Sequence, residues 1–79
     1  MMRTEDIAEL IRAGLPGARV QVVSDDGTHF AALIVAAEFE GLRSLQRHQL
    51  VYRALGEKMG GDIHALSIRA LTPAEHDAG

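Results

Sequence analysis

The sequence predicts a small two-layer α+β domain, and three observations predict it. Hydrophobic periodicity alternates between helical and extended in the order α-β-β-α-(α)-β, the bracketed helix being optional. Asp25-Asp26-Gly27 carries hairpin-turn chemistry between the first two extended runs. The stretch 42–59, LRSLQRHQLVYRALGEKM, is periodic over a length of about four to five helical turns, enough to lie across a narrow sheet. The expected architecture is one domain over residues 1–79, a three-stranded mixed sheet with the helices on one face.

The first helix starts at Thr4, a plausible N-cap, with Glu5 and Asp6 in the first turn where the helix dipole favours negative charge. Ile7, Leu10, Ile11 and Leu15 recur at helical spacing. Gly14 with Pro16-Gly17 ends the helix near Ala13. Gly14-Leu15-Pro16-Gly17 also spells GxxG, the backbone clamp of KH domains, but it lies between a helix and a strand rather than between two helices and reads as a turn.

Ala18–Val23 alternates as a half-buried strand, and His29–Ala37 is a second, nearly all-apolar strand that should pair antiparallel with it. Glu38-Phe39-Glu40-Gly41 breaks the run with a short helical turn. On the long helix, Leu45, Val51, Tyr52, Leu55 and Met59 share one arc of about 120°, the expected core-facing stripe, with His48 at its centre. Arg43, Arg47, Ala54, Lys58 and Leu50 fall towards the opposite side. Leu50 is there either an ordinary exposed leucine or a partner contact. Gly60-Gly61 marks the end of this helix. Ile63–Leu71 returns as the third strand, with His64, Leu66, Ile68 and Ala70 on one face and Ser67 and Arg69 on the other. Thr72-Pro73-Ala74-Glu75 is a capping box from which only a turn is expected.

Composition removes several classes of function. With 79 residues, the chain hides only roughly 60–65% of the surface its unfolded form exposes. It has no cysteine, so disulfides, thiol nucleophiles and metal sites built wholly from its own thiolates are excluded. The start MMRTEDIAEL has no secretory pattern, and no apolar run reaches a membrane span, so a cytoplasmic protein with no membrane partner is expected. A net charge of −3 argues against whole-surface attraction to nucleic acid, although Arg43, Arg47, Arg53 and Lys58 could form a local patch. No catalytic triad, phosphate loop or HExxH is present, and catalysis is not expected.

The histidines are the informative residues. His48 reads as a hydrogen-bonded structural histidine and His76 as a solvated tail residue. His29 and His64 begin the second and third strands, where two imidazoles at one end of a sheet could serve a metal centre but could not complete a tetrahedral site.

Phe39-Glu40-Gly41, then Leu45-Gln46-Arg47-His48-Gln49-Leu50-Val51-Tyr52, then Ile63-His64-Ala65-Leu66-Ser67-Ile68, then Leu71-Thr72-Pro73 closely resemble the BolA family pattern FxG…LxRHxxVY…HAL…T(P). Ser24–Phe30 resembles the acidic-turn loop of its IbaG-like branch. The resemblance implies a type-II KH-like fold and pairing with a monothiol glutaredoxin of the CGFS type. Such pairs hold a bridging [2Fe–2S] cluster, completed by glutathione, in iron–sulfur trafficking or iron regulation. His64 matches the family's C-terminal histidine ligand and His29 its loop ligand position. Imidazole ligation of one iron has precedent in Rieske centres, and no cofactor is expected in the isolated chain, either monomer or weak dimer. The alternative from the same resemblance is a DNA-binding transcriptional regulator using Arg43, Arg47, Arg53 and Lys58. Leu50 is the candidate partner-interface residue. Two features depart from the family. Ala74-Glu75-His76 stands where its closing aromatic residue is usual, which leaves His76 as an outside ligand candidate. No GxxG precedes the long helix, which argues against RNA binding there.

Overall fold

The computed structural model describes residues 2–79. Helix α1 spans Thr4–Gly14, strand β1 Arg19–Val23 and strand β2 His29–Val35. A 3-10 turn over Ala37–Phe39 precedes helix α2, Ser44–Leu55; a second, Gly56–Lys58, precedes strand β3, Ala65–Leu71; helix α3 is Pro73–Ala78. The strands lie in the order β1-β2-β3, β1 antiparallel and β3 parallel to β2. This is the expected mixed sheet, and α1 and α2 pack together on one face of it.

The core follows from the two periodicities. Ile7 and Ile11 of α1 and Val51 and Leu55 of α2 meet Phe30, Ala32 and Ile34 of β2, with Phe39 and Ile63 sealing the ends. Leu66, Ile68 and Ala70 of β3 face the same core while Ser67 and Arg69 face away, as the alternation predicts.

Several boundaries move, each for a local reason. Arg3, not Thr4, is the N-cap of α1, and its backbone N–H donates to the Asp6 carboxylate at 3.1 Å. The α-helical part of α2 is 12 residues, because Gly56 takes φ +58° and turns the chain four residues before the Gly60-Gly61 signal. The terminal capping box forms, with Thr72 Oγ1 accepting from the Glu75 N–H at 3.1 Å, and nucleates a six-residue helix rather than a bare turn.

The largest correction concerns the face α2 turns inward. Leu45 is 69% exposed and Tyr52 41%, so this half of the expected core stripe lies in solvent. Leu50, expected away from the core, packs against it. The helix is rotated because Gly14 and Ala54 meet at a crossing so close that a Cβ on Gly14 would lie 2.5 Å from the Ala54 Cβ. That approach fixes Ala54 inward and takes Leu50 and Arg47 with it.

Candidate functional site

The parallel β2–β3 register pairs His29 with Ala65, so His29 and His64 stand at the same end of the sheet on neighbouring strands. Both are exposed. His29 lies on the sheet face opposite the helices, since its neighbour Phe30 is buried against them. His64 immediately precedes β3, outside the strand and free of its side-chain alternation.

The loop before β2 is built to hold His29. Asp26 Oδ1 accepts from the N–H groups of Thr28 and His29, each at 2.8 Å, while Ser24 Oγ accepts from the Gly27 N–H at 2.9 Å and donates to the His29 carbonyl at 2.7 Å. Asp26 Oδ2 lies 2.8 Å from His29 Nδ1. The His29 N–H first, then its ring, then the Thr28 N–H hold the Asp26 carboxyl well below the usual carboxylate range. An ionised carboxylate only accepts, so Nδ1 carries the proton and the neutral ring keeps its lone pair on Nε2. With His29's side chain 74% exposed, that nitrogen belongs to a ring oriented by a carboxylate, the usual support of a metal-binding imidazole. The donor chemistry therefore fits an iron offered from outside. It is a partial set: among the described residues no group of three or more His, Asp or Glu side chains could hold a metal ion.

The other two histidines are elsewhere. His76 sits on α3, past the C-terminal end of β3, with Nδ1 3.4 Å from Arg19 Nη2. That is the opposite end of a seven-residue strand, about 20 Å away, so it does not join His29 and His64. His48, expected to be hydrogen-bonded on the core face, is instead half-buried and edge-on to the exposed Tyr52, ring centroids 6.5 Å apart, and its side chain makes no hydrogen bond among the described residues.

The four basic residues do not form one stripe. Arg47 is folded inward with its side chain 13% exposed. It donates to the Leu42 carbonyl at 2.9 Å, the Ala70 carbonyl at 3.1 Å and the Glu75 carboxylate at 2.6 Å, and it stacks 5.9 Å above the Phe39 ring. The Arg47 guanidinium, and after it the Thr72 N–H, lower the Glu75 carboxyl from 4.5 to about 2. Lys58 pairs with Asp62 at 3.3 Å, and Arg43 and Arg53 are exposed. Sequence reasoning missed Arg47 as the tie between α2, β3 and α3. The signal was present, since its position on α2 lies between those of Leu50 and Val51 when all three are projected down the helix axis.

Comparison with known proteins gives a consistent picture. The BolA-like protein family model matches residues 13–75. The structure superposes on a bolA protein homologue from Coxiella burnetii with a TM-score of 0.87 and 46% identity, covering 98% of this chain and 99% of that one. Human BolA-like protein 1 is 56% identical over 48 residues, which is 61% of this chain and 35% of that protein. The DNA-binding transcriptional regulator BolA of Haemophilus influenzae is 43% identical over 51 residues, 65% of this chain and 50% of that protein. The matched stretch thus spans a third to a half of these two curated relatives. With a family match over most of its length and a fold shared nearly end to end, the chain belongs to the BolA-like protein family.

Proposed function

We propose that this protein is a non-enzymatic adaptor that pairs with a monothiol glutaredoxin and shares with it a bridging [2Fe–2S] cluster. The observation that carries the reading is the parallel register that puts His29 and His64 at one end of the sheet, exposed, with His29 oriented by Asp26. A chain without cysteine supplies imidazole to one iron; the partner's cysteine and glutathione supply thiolates. The cluster is cargo held between the two proteins. Because only the neutral ring ligates, the complex weakens as the imidazoles take up protons in acid.

The test is the visible absorption and circular dichroism of the protein mixed with a CGFS glutaredoxin, glutathione, iron and sulfide. A spectrum distinct from that of glutaredoxin alone, lost in His64→Ala and altered in His29→Ala, supports the assignment. A glutaredoxin-only spectrum with the unaltered chain overturns it.

A second reading, DNA-binding transcriptional regulation, is favoured by the similarity to the DNA-binding transcriptional regulator BolA of Haemophilus influenzae. Its surface would rest on Arg43, Arg53 and Lys58, because Arg47 is engaged internally. Such binding falls by about 0.9 log units per log unit of salt for each phosphate contact, whereas cluster sharing is insensitive to salt.

A further inference from the structure

The sheet has a second face, of which the cluster reading uses only His29 at its edge. Eleven strand residues point away from α1 and α2: Arg19, Gln21 and Val23 of β1, then His29, Ala31, Leu33 and Val35 of β2, then Ala65, Ser67, Arg69 and Leu71 of β3. None is acidic, although the chain carries 11 aspartates and glutamates and a net charge of −3. His76 covers the Val35 end beside Arg19. Leu71 and one side of Arg69 share a smaller cavity with Glu75 and His76 of α3, and towards the start of β2 lies an open bay of about 330 Å³ lined by Gln21, Val23, Ala31, Leu33 and Arg69. Val23 is 54% exposed within it.

Two independent features make this bay a docking surface rather than ordinary solvent-facing sheet. The first is β2 itself. A nearly continuous apolar run is the pattern of a strand buried on both faces, yet here the outer face of β2 is covered only at its Val35 end, where His76 lies, and is open at Ala31. The second is charge. Arg19 and Arg69 stand on the two outer strands, flanking an apolar centre, and Arg69 has no acidic partner within 4 Å among the described residues. Glu75 lines a cavity with Arg69 but its carboxylate is bound by Arg47, and Asp77 lies beside His76.

We propose that this face docks an acidic amphipathic helix of a partner protein, its apolar stripe on Val23, Ala31 and Leu33 and its carboxylates on Arg19 and Arg69. The dimensions agree: the outer strands are about 9.6 Å apart, close to the width of a single helix, and the strands run for about 20 Å, three to four helical turns. Competing occupants fit less well. A second copy of this chain, face to face, would set arginine against arginine. Single-stranded nucleic acid binds on successive aromatic platforms, and this face has no Phe, Tyr or Trp, only the imidazoles of His29 and His76 at its two ends. The footprint is on the order of 300 Å², which places the contact in the weak, transient class.

The experiment uses the full ¹⁵N-labelled chain and, as probe, a synthetic helix of about 15 residues with leucines at i, i+4, i+7 and i+11 flanked by glutamates. The expected result is saturable shifts of amides in β1, β2 and β3 with a high-micromolar Kd. Binding should weaken at least tenfold in the Arg19→Ser/Arg69→Ser double variant, whose fold is checked by circular dichroism, and should persist in His64→Ala, which keeps this outcome separate from the cluster test. The same helix with lysine for glutamate should not bind. Shifts confined to other elements, equal binding of the lysine helix, perturbation of this face by a DNA oligonucleotide instead, or concentration-dependent shifts without peptide would each overturn the proposal.

Discussion

The two ends of the sheet make opposite use of their polar residues. Where β3 ends, Arg47, Glu75, Thr72 and Phe39 form a closed set in which every charged group answers another: guanidinium to carboxylate and to two carbonyls, carboxylate to a backbone N–H. Where β2 and β3 begin, His29 is tied only to its own loop and His64 to nothing among the described residues, and both face water. Residues that hold a fold together use up their valences inside it, whereas residues available to a partner keep theirs free. By that criterion Arg47, which looks like a surface cation in the sequence, is structural, and the histidine end is the one whose polar groups remain free for the proposed partner.

Mutations should divide along the same line. Phe39→Ala removes a fully buried ring from beneath the Arg47 guanidinium and should cost about 3–5 kcal/mol, enough to unfold much of so small a domain at 37 °C by thermal circular dichroism. Arg47→Ala leaves two carbonyls without their donor and should cost about 2–3 kcal/mol, a fall of roughly 10–20 °C in Tm. If Arg47→Ala is instead neutral to stability while abolishing DNA binding, the contrast between the two ends breaks.

The pH dependence sharpens it further. The folded Glu75 carboxyl is depressed from 4.5 to about 2, so its contribution is fully present above pH 4.5 and is lost as pH falls towards 2. Glu75→Gln should lower stability above pH 4.5 and flatten the acid limb of urea midpoints measured between pH 5 and 2. The smallest stability effect belongs to the other end. His64→Ala should change stability by no more than about 0.5 kcal/mol, the range for an exposed side chain without an internal partner. His29→Ala loses only its exposed contact with Asp26 and should change stability by no more than about 1 kcal/mol. A loss of several kcal/mol in either variant would make that histidine structural and remove it from the ligand set.

Much of this was legible in the residues alone. The Asp26-Gly27 hairpin, the alternation of β3 and the capping box at Thr72 are local chemistry, and each appears where its pattern places it. His29 was legible as a strand start, whereas His64, expected inside the third strand, falls one residue before β3 begins at Ala65. The face of α2 was not. An apolar arc centred on His48 is a sound reading when all inward positions are apolar, but here the inward arc contains Arg47, whose stem packs and whose guanidinium is satisfied by groups 23 and 28 residues away. No local pattern announces partners at that separation.

The sequence by itself determined the order of elements, the antiparallel hairpin and the absence of thiolate chemistry, because these depend on spacing, turn residues and composition. The tertiary structure decided which side of α2 faces inward, which cation is spent inside the fold and which sheet face stays open. Those outcomes depend on the approach of Gly14 to Ala54 and on pairings across the whole chain, where one close contact settles a rotation that periodicity leaves free.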